Sequence, residues 1–302
     1  MSRTSIPLRS AGYAVALRAE LCERARRFAE AHALPCVHSY GSQPVVVFAP
    51  YLRGEERCEP TPDGTAHGNF LDACYKAICT RDDWRNRLDK VHTQGRTSLP
   101  QGERGRWREL DTCTSSDALL MNIFAYPALW RHGRVAGLLG VDRTARPRFG
   151  VPARVPMKGG KFDRTEIDMM LAPPGDSDES ALFVEAKLTE FDFQCAAISV
   201  VDSYRDFDDV FRRSELARIR GRYLNYQLIR NVLAAHATGA AFCVLADARR
   251  PDLMEAWHAT MRAVRPVDLR LRCKVLTWQE LASAVPPRLQ SFLDEKYGIV
   301  PA

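Results

Sequence analysis

The sequence predicts an α/β protein, a mixed central sheet with helices on both faces. Three observations predict it. Short apolar runs with strand character recur from residue 151 onward; turn-forming clusters such as "PPGDSDES" separate them at hairpin distance; and segments of helical periodicity alternate with the later runs. From residue 112 the predicted order is α-β-β-β-α-β, then α-β-α. Three hairpin-linked strands followed by a helix and a strand combine antiparallel and parallel pairing.

The elements follow in order. Residues 12–33 read as a helix, and "PVVVFAP" (44–50) as a short strand bounded by prolines. Residues 53–68 read as a loop, 69–90 as charged helices and 93–110 as irregular. "TCTSSDALLMNIFAYPALW" (112–130) opens on the N-cap candidates Ser115 and Ser116 and continues as a mostly buried helix. Strands are expected at 151–158, 164–171 and 181–188, with "KGGK" (158–161) as a basic hairpin turn. A long helix is expected over 214–237, a buried strand over 239–247, a helix over 252–264 and a strand over 273–278. Two regions result: a mainly helical N-terminal extension, 1–111, packed on a core, 112–302.

The 302 residues are 46% hydrophobic and 26% charged, enough for a sizeable core. No apolar run approaches the ~18 residues of a membrane helix, and no cleavage site follows the short apolar patch at 12–17. Nine scattered cysteines, an odd number, fit a reducing cytoplasm better than a secreted scaffold. Cys58, His67, Cys74 and Cys79 match no zinc spacing and read as small buried side chains. The net charge is +6 and locally uneven: Arg143, Arg146, Arg148, Arg154, Lys158, Lys161 and Arg164 form one basic run, Arg212, Arg213, Arg218, Arg220 and Arg222 another. Such runs suit a polyanion partner, although many are solvated faces.

Chemistry concentrates in two strands. In "TEIDMML" (165–171) Glu166, Asp168 and Met170 share a face; in "ALFVEAKL" (181–188) Phe183, Glu185 and Lys187 do. If the strands pair, Asp168 faces Glu185 and Lys187. Two converging carboxylates repel unless a cation sits between them, and Mg²⁺ suits such oxygen donors, with the Ala186 carbonyl as an extra ligand. Lys187 would stand beside the attacking water or offset charge on a phosphorane-like transition state. The alternative is an ordinary surface ion pair. On the expected helix, Arg220, Tyr223, Gln227 and Arg230 fall on one stripe.

The order of a helix, a strand with Asp168, a strand with Glu185-Ala186-Lys187 and a helix with "RYLNYQLIRN" resembles the PD-(D/E)XK, or restriction-endonuclease-like, superfamily. "TSSDALLMNIF", "YQLIRN" and, upstream, "HGNFLDACYKAI" are similar to a prokaryotic branch of it. The resemblance implies an αβββαβ core and a Mg²⁺-dependent nuclease, with Mn²⁺ as a substitute. It assigns Asp168 and Glu185 to the metal, makes Lys187 the catalytic lysine and matches Gln227 to a helix glutamine near the active site. Many members draw a further acid from the first core helix. Here that acid is Asp117, equally suited to favour the helix dipole. Glu166-Ile167-Asp168 replaces the Pro-Asp of the motif.

The reading is therefore a cytoplasmic endonuclease acting on DNA, with RNA left open. Cutting both strands at one place would call for a homodimer. Arg154, Lys158, Lys161, Arg164, Arg220, Tyr223 and Arg230 would line the nucleic-acid groove. The alternative is a silent nucleic-acid-binding or scaffold protein that keeps the fold.

Overall fold

The structure, a computed structural model, describes residues 6–39, 44–48, 50–51, 66–90, 101–102, 105–106, 108–131, 133–175 and 181–302. The chain divides into two compact units. Residues 1–14 and 139–278 form one; residues 15–138 and 279–302 form the other. The expected division at 111/112 falls inside the second.

The first unit is built on a five-stranded sheet, and the fold class is α/β. Its strands are β1 (Arg146–Pro152), β2 (Glu166–Ala172), β3 (Leu182–Ala186), β4 (Ala241–Ala246) and β5 (Cys273–Thr277), in the spatial order β5-β4-β3-β2-β1. β1 and β3 run antiparallel to β2, whereas β3, β4 and β5 are parallel, so the sheet is mixed as expected. Central β3 is buried at every residue, which explains its continuous apolar sequence.

Helices α1 (Tyr226–Thr238) and α2 (Pro251–Arg262) belong to this unit's core. Phe183, Phe242 and Val244 cluster there with Leu228, Val232 and Leu233 of α1 and with Leu253 and Trp257 of α2. Burial of each such side chain stabilises by about 1.5–3 kcal/mol. On the opposite sheet face Met169, Leu171, Val184, Ala186, Cys243 and Leu245 are buried too.

Two expectations need correction. The first sheet strand is 146–152, not 151–158. It carries Pro147 and Pro152, which sequence reading counts against a strand but which an edge position tolerates. Arg154 (φ 51°) ends that run in the left-handed region, and Val155–Pro156 instead pairs with Phe162–Asp163 in a separate hairpin. Its tip is the "KGGK" turn, closed by Met157 N–H donating to the Lys161 carbonyl, as expected.

The second correction concerns the helix at 214–237, which begins only at Tyr226. Arg218–Ile219 and Arg222–Leu224 form a hairpin around Arg220 (φ 46°) and Gly221 (φ 75°), the two positive dihedrals that a tight primed turn demands. Asn225, also left-handed, starts the helix after it. Arg220 and Tyr223 therefore do not share a helical stripe with Gln227.

In the second unit, Val46–Phe48 is a buried strand paired with Cys36–His38. Helix Ser116–Phe124 is capped by the Ser115 side chain, which accepts from Ala118 N–H, as read from the sequence. Asn122 of that helix donates to the Asn69 carbonyl and accepts from Leu71 N–H. Helix Pro287–Tyr297 buries Lys296, whose Nζ donates to the Gly68 carbonyl at 2.7 Å among the rings of Phe28, Phe48, Phe292 and Tyr297.

Candidate active site

The backbone sets the site where β2 and β3 stop pairing. Their register runs Leu171–Leu182, Met170–Phe183, Met169–Val184, so the next positions across are Asp168 and Glu185. There the ladder changes character. Ala186 N–H donates to Asp168 Oδ2 at 2.8 Å, so a side chain takes the main-chain donor. Beyond it, Lys187 N–H donates to the Leu245 carbonyl of β4. Asp168, Glu185 and Lys187 are brought to one place on the face that carries Phe183.

Glu185 is 1% exposed and Lys187 4%. Lys187 Nζ donates to Glu185 Oε1 at 2.7 Å, and Asn231 Nδ2 donates to Glu185 Oε2 at 2.7 Å. Arg230 Nε in turn donates to Asn231 Oδ1 at 3.0 Å, and Arg230 Nη2 to the Glu166 carbonyl. Burial alone pulls the Lys187 pKa down, but Glu185, then Glu190 and Asp168, outweigh it and hold the group above the ordinary lysine range. These carboxylates favour the ammonium form of Lys187, which donates to Glu185.

The loop after Lys187 is held from several sides. Trp278 Nε1 donates to the Lys187 carbonyl at 2.9 Å. Glu190 Oε2 accepts from Leu188 N–H. Arg250, fully buried, donates to the carbonyls of Leu188, Glu190 and Phe191 and makes a two-pronged pair with Asp252.

Gln227 lies in the first turn of α1, four residues before Asn231 and hence on the same helix stripe. Its N–H donates to the Phe193 carbonyl, while its side-chain Oε1 is buried with no hydrogen-bond partner. A buried orphan acceptor is costly, and at a site it is what a bound group would satisfy. Asn231 escaped the sequence reading. Its signal was the spacing of four from Gln227 in "YQLIRN".

The remaining predicted residues scatter. Arg154, Lys158, Lys161 and Arg164 are exposed on or beside the 155–163 hairpin. Tyr204 anchors that hairpin near the start of α1, donating to Asp163 and sharing a 2.6 Å hydroxyl contact with Tyr226. Arg220 is exposed at the other hairpin's tip. Tyr223 is buried edge-on against Phe207, and Arg230 is 2% exposed, so neither presents its side chain to a nucleic-acid groove here. Their apolar contact and internal hydrogen bonds explain the difference from the expectation. Asp117 belongs to the second unit, where its Oδ2 accepts from Arg87 at 2.9 Å and Lys90 at 2.7 Å.

The donor set around Glu185 can be tested for a cation. Among the described residues no three His, Cys, Asp or Glu side chains gather as a metal site. An ion here would rest on Asp168 and Glu185 with the Ala186 carbonyl and waters, the habit of Mg²⁺. Oxygen donors of this kind suit a hard divalent cation, with most of the coordination left to water. Of the imagined thiol-histidine site, His67 is bonded to Asp111 and to Asn69 N–H, Cys74 donates to the Asn122 carbonyl, and Cys58 lies outside the described residues.

A family model described as "Restriction Endonuclease associating with ARP" matches residues 47–298. The chain belongs to this family. The match spans both compact units, from the buried strand at 46–48 to the end of helix Pro287–Tyr297, and so includes Asp168, Glu185, Lys187 and Asn231. Comparison with the curated proteins found no match, and comparison with the solved structures found none. Membership of a restriction-endonuclease family agrees with the nuclease-like class. No helix of the described residues is long and apolar enough to cross a membrane.

Proposed function

We propose that the protein is a divalent-metal-dependent nuclease of the PD-(D/E)XK type, hydrolysing phosphodiester bonds of DNA. The observation that carries the reading is the juxtaposition of Asp168 with Glu185 and Lys187 at the end of the β2–β3 pairing. The family's name supports the class. Asp168 and Glu185 would hold Mg²⁺, or Mn²⁺ in its place. Such an ion, when bound, acidifies water and polarises a phosphate oxygen. Asn231 fixes the orientation of Glu185. Lys187, kept charged, donates to phosphate oxygen as negative charge grows in the transition state. Gln227 offers its unsatisfied Oε1 to the attacking water, aligning it. The exposed cations of the two hairpins hold the DNA backbone. The protein would act in the cytoplasm, as a homodimer where both strands are cut.

A second reading, a silent DNA-binding module, draws on Glu185 itself: both of its oxygens already accept hydrogen bonds from Lys187 and Asn231. One assay separates the two. Plasmid and oligonucleotide DNA are incubated with Mg²⁺ or Mn²⁺ and with wild-type, Asp168→Ala or Lys187→Ala protein whose fold is checked by circular dichroism. Cleavage by wild type alone supports the nuclease. Salt-sensitive DNA binding without cleavage supports the silent module, and neither binding nor cleavage overturns both.

A further inference from the structure

The second unit holds a pair of thiols that the proposed nuclease chemistry does not use. Cys22, half-buried on helix Ile6–Ala31, has its Sγ 3.8 Å from Sγ of Cys113. Cys113 is buried just ahead of helix Ser116–Phe124, and its N–H donates to the Val46 carbonyl, which fixes it to the strand Val46–Phe48. We propose that Cys22 and Cys113 form a peroxide-responsive dithiol, Cys22 being the residue oxidised and Cys113 the one that closes a disulfide with it.

Three features support this assignment beyond the sulfur contact. Cys22 is the partner that solvent reaches, so a small hydroperoxide meets it first. The hydrogen bond shared with Cys113 draws the Cys22 thiol down to about 7, against the effect of burial, with the Val46 backbone and then the Arg18 cation helping, which favours the reactive thiolate. The same shared bond, and then burial, push the Cys113 thiol up and favour its protonated form.

The chemistry balances with one molecule of hydrogen peroxide as oxidant. The Cys22 thiolate attacks a peroxide oxygen and the O–O bond breaks. Cys22 becomes a sulfenic acid, and the other oxygen leaves as hydroxide, which takes up the proton that Cys22 had released. Cys113 sulfur then attacks the sulfenic sulfur. The S–S bond forms, the S–O bond breaks, and the hydroxyl departs with the Cys113 proton as water. Two thiols are oxidised and one peroxide is reduced to two waters.

The bridge would tie helix Ile6–Ala31 to the turn ahead of Ser116–Phe124, closing a loop between residues 91 apart. The dithiol is independent of the nuclease reading.

The test is stoichiometric hydrogen peroxide on reduced full-length protein, followed by alkylation under denaturing conditions and peptide mass mapping. The expected result is a Cys22–Cys113 cross-linked peptide that dithiothreitol reverses, and a raised Tm of the oxidised protein. With Cys113→Ser, Cys22 should stop at a sulfenic acid that dimedone traps. With Cys22→Ser, Cys113 should stay reduced. The wild-type map decides the matter even where a variant fails to fold. Sulfinic or sulfonic acid at Cys22 without a bridge, a bridge to another cysteine, or unreacted Cys22 would each overturn the proposal.

Discussion

Asn231 reaches across from α1 to donate its Nδ2 hydrogen to Oε2 of Glu185, 2.7 Å away, while Lys187 occupies Oε1. The buried carboxylate is thus held at both oxygens by one neutral and one charged donor. Asn231→Ala leaves Oε2 without its partner and should cost roughly 1–3 kcal/mol of stability, read by urea unfolding. Asn231→Asp sets a second carboxylate against the first, one of which must keep a proton. Its destabilisation should therefore be larger near about pH 8 than near about pH 5. Equal losses at both would show that residue 231 does not meet Glu185.

Lys187 carries the sharpest catalytic expectation. Removal of a donor aimed at transition-state charge lowers kcat by about 10²–10³-fold, and Lys187→Ala should do so with little change in DNA affinity. Because its pKa is raised in the fold, its ion pair contributes fully below the ordinary lysine value and fades only as pH rises through the folded value. No limb of the pH–rate profile in the neutral range should then belong to Lys187. A limb that vanishes in Lys187→Arg would contradict this.

Asp117 links acid stability to the second unit. Burial raises its pKa, but Arg87 and Lys90 outweigh burial and lower it overall. A carboxylate with a depressed folded pKa stabilises above its unfolded value and loses that contribution as pH falls through the folded one. Asp117→Asn removes the charge that Arg87 and Lys90 share, although Lys90 keeps Glu109 at 3.7 Å, and should cost up to roughly 3–5 kcal/mol at neutral pH. Thermal melts between about pH 2 and about pH 7 should show a wild-type dependence that the variant lacks.

Lys296 has the opposite sign of linkage. Burial lowers the pKa of its amine, whereas the unfolded chain protonates it up to about pH 10.4. Stability should therefore rise with pH between its folded pKa and that value. Lys296→Met, which removes the titration and fills the same aromatic surroundings, should flatten the rise in Tm. A slope unchanged in the variant would assign it elsewhere.

The exposed 155–163 hairpin bears on DNA affinity. For duplex DNA, the slope of log K against log salt shrinks by about 0.9 for every phosphate that the protein no longer neutralises. Lys158→Ala with Lys161→Ala should lower the slope by about that amount per residue engaged, in a fluorescence anisotropy titration. An unchanged slope would remove this hairpin from the interface.

What the sequence made legible was governed by short-range physics. Alternation in "TEIDMML" and "ALFVEAKL" placed Asp168, Glu185 and Lys187 on one face before any pairing was known, and the pairing of β2 with β3 supplied the contact. Ser115 announced its cap by residue type. Less legible were features set by tertiary context. Pro147 and Pro152 hid an edge strand, and "RIRGRYL" read as helix because a turn at Arg220–Gly221 competes with helical propensity only once both dihedrals turn positive. Asn231 was silent for a different reason. An asparagine on a helix gains a role only from the buried acid it meets, and that acid lies 46 residues away.

Arg250, braced by the Asp252 carboxylate, grips the main-chain oxygens of residues 188, 190 and 191. The path of residues 188–191 is therefore written at position 250, outside the segment whose shape it sets. Exchanges at Phe191, whose ring is exposed, leave the grip intact. A single change at Arg250 removes the three carbonyl contacts that fix residues 188–191 next to Lys187. Over evolutionary time such a turn can drift in sequence while keeping its form, so the constraint on this site would register in an arginine that touches none of its reacting groups.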